Sequence, residues 1–209
     1  MSLTRLEVDR LACERGGRPL FEPVSFSLCA GEWLHLQGDN GAGKTSLMRM
    51  VSGLSPAITG EVRWAGLPIR QCAELYRAEM LYLGHTLSLK DDLSALENLQ
   101  FASAVSGESL DEASALQALT ALGLRGREHL PLRVLSQGQK RRAALARLLT
   151  TRARLWLLDE PFVALDPVAV TQLADLLSQH VHQGGLVLYT SHQTVPMGGT
   201  GHHLRLTAP

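Results

Sequence analysis

The stretch GDNGAGKT at residues 38–45 follows the strand-like run GEWLHLQ and precedes a helical pattern. It fits the pattern G-x-x-x-x-G-K-[ST], in which glycines allow a tight turn that gathers backbone N–H groups at the start of a helix. Such a turn holds phosphate, because the N–H groups and the helix dipole both favour an anion. A glycine-rich turn before an ordinary helix is the alternative, which the flanking strand and helix disfavour. The residues predicted to bind a nucleotide are Gly38, Asp39, Asn40, Gly41, Ala42, Gly43, Lys44, Thr45 and Ser46.

Two residues of this P-loop have chemical roles of their own. Lys44 would reach the β- and γ-phosphates, which makes it a catalytic as well as a binding residue. Thr45 would offer its hydroxyl to Mg²⁺. The loop therefore predicts ATP and Mg²⁺ as ligands, but by itself it leaves kinases, GTPases and many ATPases open.

An acidic pair follows the apolar run LWLL at residues 155–158, which suits a strand buried on both faces. Asp159 is placed to hold Mg²⁺ through water, and Glu160 is placed to polarise the water that attacks the γ-phosphate. Adjacent acids at a strand end are often solvated loop residues instead. Behind a P-loop, the pair favours ATP hydrolysis.

Length and composition limit the class of protein. The chain has 209 residues, which suits one large α/β domain. Its 20 basic and 20 acidic side chains balance, which argues against a general attraction to nucleic acid or anionic lipid. The three cysteines are widely spaced, and the apolar runs are strand-length, far short of the ~20 residues that span a bilayer. We expect a soluble domain whose membrane role, if any, comes through a partner.

The middle third is predicted to be helical. SALE (residues 94–97) and SLDE (residues 109–112) both fit the capping box, and Gly123 suits the end of the second helix. In the last third, strands alternate with a helix that Asp166 and Pro167 open and that Gly184 and Gly185 close. This alternation indicates a mostly parallel sheet.

The segment LSQGQ at residues 135–139, followed by KRRAALAR, resembles the signature of the ATP-binding-cassette (ABC) superfamily, LSGGQ before a basic helix. Ser136 to Gln139 also fits a capping box, so an ordinary capped helix is a reading that can hold at the same time. Gln137 replaces the usual glycine, so the loop cannot require a positive φ there without strain. The resemblance implies that Ser136, Gly138 and Gln139 act on the nucleotide bound by a second copy of the chain, in an ATP-sandwich dimer.

The resemblance also implies a fold and further roles. The fold would be an α/β P-loop NTPase domain of ABC type with a mixed or parallel sheet, its core at residues 1–84 and 136–209 and an inserted helical subdomain at about 85–135. Residues 164–166 resemble the D-loop, although Asp166 before a proline is equally a helix N-cap. His192, after the strand LVLY, resembles the switch histidine that contacts the γ-phosphate and orients Glu160.

Two family positions depart from the usual pattern. Arg15 maps to the aromatic residue that stacks on adenine, and a guanidinium plane can also stack on a base. His85 maps to the glutamine that couples the metal site to the membrane partner. For His85, a metal-site role and an ordinary surface position stand as equal alternatives.

Longer stretches, among them LACERGG, LYLGH and LSALENLQF, resemble the ATP-binding subunits of cytochrome c maturation (haem exporter) systems. This resemblance implies a peripheral protein on the cytoplasmic face of a bacterial inner membrane, bound to integral membrane permease subunits. Hydrolysis would release a haem-loaded chaperone, so haem would be involved only indirectly. The resemblance implies no nucleic-acid partner.

Three other functions remain open at this point. One is the ATPase of a transporter for another small molecule or a lipid, because substrate choice lies in the membrane partner. Another is a soluble ABC protein of ribosomes or DNA repair, which would usually carry two cassettes or a coiled-coil insertion. A small-molecule kinase shares the P-loop, but it would not need LSQGQ or the switch histidine.

Overall fold

The computed structural model describes residues 5–207, except for the side chains of Arg5 and Arg15. Contacts divide the chain into two compact units. Unit 1 comprises Met1–Tyr82, Ala153–Glu160 and Ala174–Pro209, and unit 2 comprises Leu83–Arg152 and Pro161–Leu173. Among the described residues, no helix is both long and apolar enough to cross a membrane.

A five-stranded sheet carries the site. Its order is β11-β5-β10-β9-β8, and the pairs of β5 with β11, β5 with β10 and β9 with β10 are parallel. Every residue of β9 and β10 is buried, as expected for strands covered on both faces. The strands are β5 (Glu32–Gln37), β8 (Met80–Leu83), β9 (Leu155–Leu158), β10 (Leu186–Thr190) and β11 (Thr200–Arg205).

The second sheet of unit 1 has the order β4-β1-β6-β7, and its pairs are antiparallel. A separate hairpin joins β2 to β3. Side chains from both sheets and from the helix after the P-loop form one hydrophobic core, which fixes the ends of the parallel strands. The elements are β1 (Arg5–Ala12), β2 (Glu14–Arg15), β3 (Arg18–Pro19), β4 (Val24–Cys29), β6 (Thr59–Trp64), β7 (Leu67–Pro68), α1 (Lys44–Val51) and α2 (Ala73–Ala78).

Helices dominate unit 2. The predicted capping box at Ser94 is present, and Ser94 and Glu97 bond each other's backbone N–H groups. The box predicted at Ser109 is wrong, because the N-cap is Asp111. The Asp111 carboxylate accepts from both the backbone N–H and the hydroxyl of Ser114, at 2.9 and 2.7 Å, so it satisfies two donors. The helices of this part of the chain are α3 (Ala95–Val105), α4 (Glu112–Ala121), α5 (Gln137–Leu145) and α6 (Arg147–Thr150), with a 3₁₀ turn at Leu132–Val134.

The helix ends predicted from single residues are confirmed. Gly123, with φ of 76°, follows the end of α4, and the N–H of Leu124 bonds the carbonyl of Leu119 across it. The last helix, α7 (Pro167–His182), starts directly after Asp166, whose carboxylate accepts the N–H of Ala169 at 2.9 Å. It ends two residues before Gly184, where φ is 87°.

Candidate nucleotide site

The P-loop connects β5 to α1 through residues 38–43. Gly41 and Gly43 have φ of 85° and 93°, in the left-handed region that favours glycine. A Cβ on Gly43 would also lie 2.6 Å from the ring of Phe21, so the loop needs glycine there for two reasons. Because the N-cap of α1 is Gly43, no side chain of the cap residue occupies the first N–H groups of the helix. Those groups can therefore meet a phosphate.

Lys44 is the first residue of α1, and its ammonium group folds back over the loop. Its Nζ donates to the carbonyls of Gly38 and Asp39, at 2.7 and 3.2 Å. The side chain is buried, with 8% of the residue exposed. This position keeps a positive charge against the loop that is predicted to bind phosphate.

The acidic pair follows β9 at the end of the sheet where β5 runs into the P-loop. Asp159 and Glu160 are 2% and 9% exposed, so they are not solvated loop acids. One oxygen of Asp159 accepts from the Thr45 hydroxyl at 2.7 Å. The other accepts from the Thr190 hydroxyl, also at 2.7 Å. The structure thus brings two of the three residues predicted at the metal site, Thr45 and Asp159, into direct contact. The third, His85, is not part of this contact.

Thr190 is a site residue that the sequence prediction did not include. Its hydroxyl donates to Asp159 and accepts the backbone N–H of Glu160 at 2.8 Å, so it holds both acids. Glu160 needs such support, because its φ of 52° is unfavourable for a residue other than glycine. One signal could have identified Thr190. It is a hydroxyl residue at the end of a strand that is predicted to run parallel to the strand ending in Asp-Glu.

His192 lies just beyond β10 and approaches Glu160. The two side chains are 3.5 Å apart, measured from Nε2 to Oε1. The imidazole is 57% exposed and the carboxylate 12%, so His192 lies on the open side of Glu160. The predicted pair of a general base and a switch histidine is therefore brought together in unit 1.

The signature segment lies in unit 2 and starts α5. The Ser136 hydroxyl accepts the N–H of Gln139 at 3.2 Å, and the Gln139 side chain accepts the N–H of Ser136 at 3.0 Å. This confirms the predicted capping box. Gln137 is the first helical residue and has no positive φ, as its side chain requires. Ser136 is exposed, so its hydroxyl is accessible from solvent.

The segment that resembles the D-loop packs against the signature helix within unit 2. A Cβ on Gly138 would lie 2.7 Å from the carbonyl oxygen of Ala164, so glycine allows this close approach. Asp166 forms an ion pair with Arg142 of α5 and also caps α7. The structural alternative for Asp166, the N-cap, is therefore confirmed.

The roles of the two residues that depart from the family pattern stay predictions. His85 is exposed in a bend of unit 2. Arg15 lies in β2, and its side chain is outside the described residues. Between residues 5 and 207, no group of three or more histidine, cysteine or acidic residues is arranged to hold a metal. A hydroxyl and a carboxylate side by side nevertheless fit Mg²⁺, which prefers oxygen ligands and keeps several waters.

Comparisons with known proteins identify similar sequences. The model of the ABC transporter family matches residues 21–163. The chain is 51% identical to the cytochrome c biogenesis ATP-binding export protein CcmA of Dechloromonas aromatica, over 96% of this chain and 99% of that protein. The protein of the same name from Escherichia coli O157:H7 is 49% identical, with 90% and 89% covered.

Solved structures share the fold. An ABC transporter ATP-binding protein from Pyrococcus furiosus superimposes with a TM-score of 0.83 at 23% identity, covering 96% of this chain and 97% of that one. The ATP-binding cassette MJ0796, solved as a dimer bound to ADP and Pi, gives a TM-score of 0.79 at 21% identity, covering 90% and 88%. The predicted fold class is confirmed.

Proposed function

The chain belongs to the ABC transporter family, and on that premise we propose that it is the ATP-hydrolysing subunit of a cytochrome c biogenesis export system. One observation carries the catalytic part of the proposal. The chain of hydrogen bonds from Thr45 through Asp159 and Thr190 to the backbone of Glu160 joins the P-loop to the predicted general base. Near 50% identity to curated CcmA export proteins over almost the whole chain supports the biogenesis part.

In the proposed reaction, the N–H groups of the P-loop and the Lys44 ammonium bind the phosphates of ATP. Glu160 accepts a proton from the attacking water, and His192 orients both Glu160 and the γ-phosphate. Thr45 and Asp159 would hold Mg²⁺, which neutralises the charge on the phosphate oxygens when it is bound. Burial of the acids helps, because charges and dipoles act more strongly where water is excluded.

A second copy of the chain is proposed to complete each site. Ser136, Gly138 and Gln139 would contact the γ-phosphate held by the partner copy. The exposed position of Ser136 at a helix start supports this, as does the dimer in which the MJ0796 cassette was solved. Arg15 is proposed to stack on adenine. His85 is proposed to relay the state of the metal site to the membrane partner.

The partners are proposed to be integral membrane permease subunits of the maturation system, with the chain on the cytoplasmic face of the bacterial inner membrane. Hydrolysis would drive release of a haem-loaded chaperone, so haem would be only an indirect partner of this chain. Affinity purification from solubilised membranes should recover those subunits with the tagged chain. Recovery of a different permease would instead favour the alternative, an ATPase for another small molecule or a lipid.

Replacing Glu160 with glutamine tests the catalytic proposal. Glu160→Gln should lower turnover of the assembled complex by ~10² or more, within the range usual for loss of a general base. ATP binding should be retained, and light scattering should then show an ATP-dependent dimer. Glu79→Gln is the matched control, since Glu79 accepts a hydrogen bond from Trp64 and takes no part in the site. Near-normal hydrolysis by Glu160→Gln would remove Glu160 from the role of base.

A further inference from the structure

His35 is a buried histidine to which the reaction above assigns no role. It lies on β5, the strand that leads into the P-loop, and only 2% of it is exposed. Its register partner on the neighbouring strand β10 is Tyr189. The two rings are stacked, with centroids 4.6 Å apart and an angle of 8° between their planes. The histidine therefore joins the strand of the P-loop to the strand that ends near His192.

The hydrogen bonds of His35 define its protonation. Nε2 is 2.9 Å from the carbonyl oxygen of Ser191, which can only accept, so Nε2 carries a hydrogen. Nδ1 is 3.3 Å from the amide nitrogen of Gln37, which can only donate, so Nδ1 accepts. The neutral ring with its hydrogen on Nε2 satisfies both partners. Burial lowers the pKa of His35 and outweighs the bond to Ser191, which raises it.

Ser191 directly precedes His192, and both its backbone and its side chain form hydrogen bonds. Its carbonyl accepts from His35, while its hydroxyl accepts the N–H of Gln193 at 2.9 Å. The side chain of His192 is more than half exposed, so packing around the ring contributes little to its position. The approach of His192 to Glu160 depends instead on where the backbone places it.

We propose that His35 is a positioning residue for ATP hydrolysis, because its hydrogen bond to the Ser191 carbonyl sets His192 against Glu160. The inference rests on the proposed role of His192 in hydrolysis. His35 contacts no reacting atom in this scheme. Its effect is on geometry, and small displacements of a catalytic group are enough to lower a rate substantially.

The chain contains a matched control in His180. Its Nε2 is 2.9 Å from the carbonyl oxygen of Arg154, and its ring stacks on Trp156 with centroids 3.6 Å apart and planes 5° apart. Burial lowers the pKa of His180, as it does for His35. Arg154 lies before the start of β9, whereas Asp159 and Glu160 follow its end. A histidine that stacks on an aromatic ring and bonds a backbone carbonyl is thus present at the site end of the sheet, and another is present at the opposite end.

Three variants separate the hydrogen bond from the ring. His35→Phe keeps a ring against Tyr189 but removes the donor, and it should lower kcat roughly tenfold with little change in KM for ATP. His35→Gln keeps a donor within reach of the Ser191 carbonyl and should recover most of the activity. His180→Phe should lower Tm without lowering kcat. If His35→Phe fails to fold, His35→Leu takes its place, because leucine also lacks the donor.

A double-mutant cycle with His192→Ala tests whether His35 acts through His192. If it does, adding His35→Phe to His192→Ala should lower kcat no further. A further tenfold loss in that background, or an unchanged kcat for His35→Phe alone, would overturn the positioning role. An unchanged kcat for His192→Ala would instead overturn the proposed role of His192, and this inference with it.

Discussion

The two helices predicted to meet ATP, α1 and α5, begin in opposite ways. α1 starts after Gly43, which has no side chain and a left-handed backbone, so its first N–H groups remain open to a ligand. α5 starts at a capping box, in which Ser136 and Gln139 satisfy each other's N–H groups. Every helix start has unpaired donors and the positive end of a dipole. In α1 no side chain of the cap residue satisfies these donors, whereas in α5 the capping box satisfies some of them.

The two helices also differ in whether their charged side chains are paired. Within the described part of the chain, Lys44 at the start of α1 donates to carbonyl oxygens, which do not neutralise its positive charge. On α5, Lys140 pairs with Asp91 and Arg142 pairs with Asp166. The exposed Ser136 therefore offers a neutral hydroxyl at the start of a helix whose charges are paired. This contrast suggests that α1 supplies binding affinity, while α5 completes a site that is already occupied.

The largest expected effect comes from disabling one helix start in each of two copies. Lys44→Ala removes a preorganised phosphate contact and should lower turnover by about 10² or more. Gly138→Ala places a Cβ 2.7 Å from the carbonyl oxygen of Ala164, so it should displace the start of α5 and lower turnover similarly. Mixed together, they should form dimers with one intact site, built from the P-loop of one copy and the signature of the other. ATPase activity measured after mixing should then rise well above that of either variant.

The control mixture pairs Lys44→Ala with a chain carrying both substitutions. No copy in that mixture has an intact P-loop, so activity should stay low. Equal activities in the two mixtures would contradict a site shared between copies. The starts of α1 and α5 would then not act on the same nucleotide.

A smaller effect is expected from a methyl group at the start of α1. In Gly43→Ala, a positive φ costs a non-glycine residue roughly 1–2 kcal/mol, so the loop should relax away from its ligand-binding shape. Binding must restore that shape, which should weaken ATP affinity by about tenfold or more. Gly126→Ala is the control, because Gly126 also has a positive φ, of 77°, with nothing within 4 Å of an added Cβ.

Equilibrium binding of a fluorescent ATP analogue measures both variants. Gly126→Ala should lower Tm and leave the affinity unchanged. A similar loss of affinity in both would mean that general destabilisation, and not the shape of the P-loop, explains the result for Gly43→Ala.

The parts of the site that were predicted from sequence are those determined by neighbours along the chain. The glycines of the P-loop, the acids after β9 and the box from Ser136 to Gln139 each depend on a few consecutive residues. Where two local patterns competed, the prediction was wrong at one helix. Ser109 and Asp111 both stand three residues before a polar partner, and the carboxylate of Asp111 caps α4 because it accepts two hydrogen bonds from Ser114.

Contacts between distant strands could not be predicted in this way. Thr190 and Asp159 are 31 residues apart in the sequence, and His35 and Ser191 are 156 apart. Their contacts exist because β10 lies between β5 and β9 and pairs with both in parallel. No local sequence pattern predicts this strand order. Residues that support catalytic groups from a neighbouring strand are therefore the ones that motif analysis misses.

The smallest expected effect separates capping from catalysis at the start of α5. Ser136→Ala and Ser94→Ala each remove a capping box, and each should lower the free energy of unfolding by about 1 kcal/mol. Only Ser136→Ala should also lower turnover, by up to about tenfold for one lost hydrogen bond to phosphate.

Ser136→Asn sharpens this test, because asparagine caps a helix as well as serine does. It should restore stability in urea unfolding without restoring turnover, since its longer amide cannot occupy the position of the hydroxyl. If stability and turnover instead return together, the capping box alone explains the importance of Ser136. The start of α5 would then matter only as a stable helix end, and α1 alone would recognise the nucleotide.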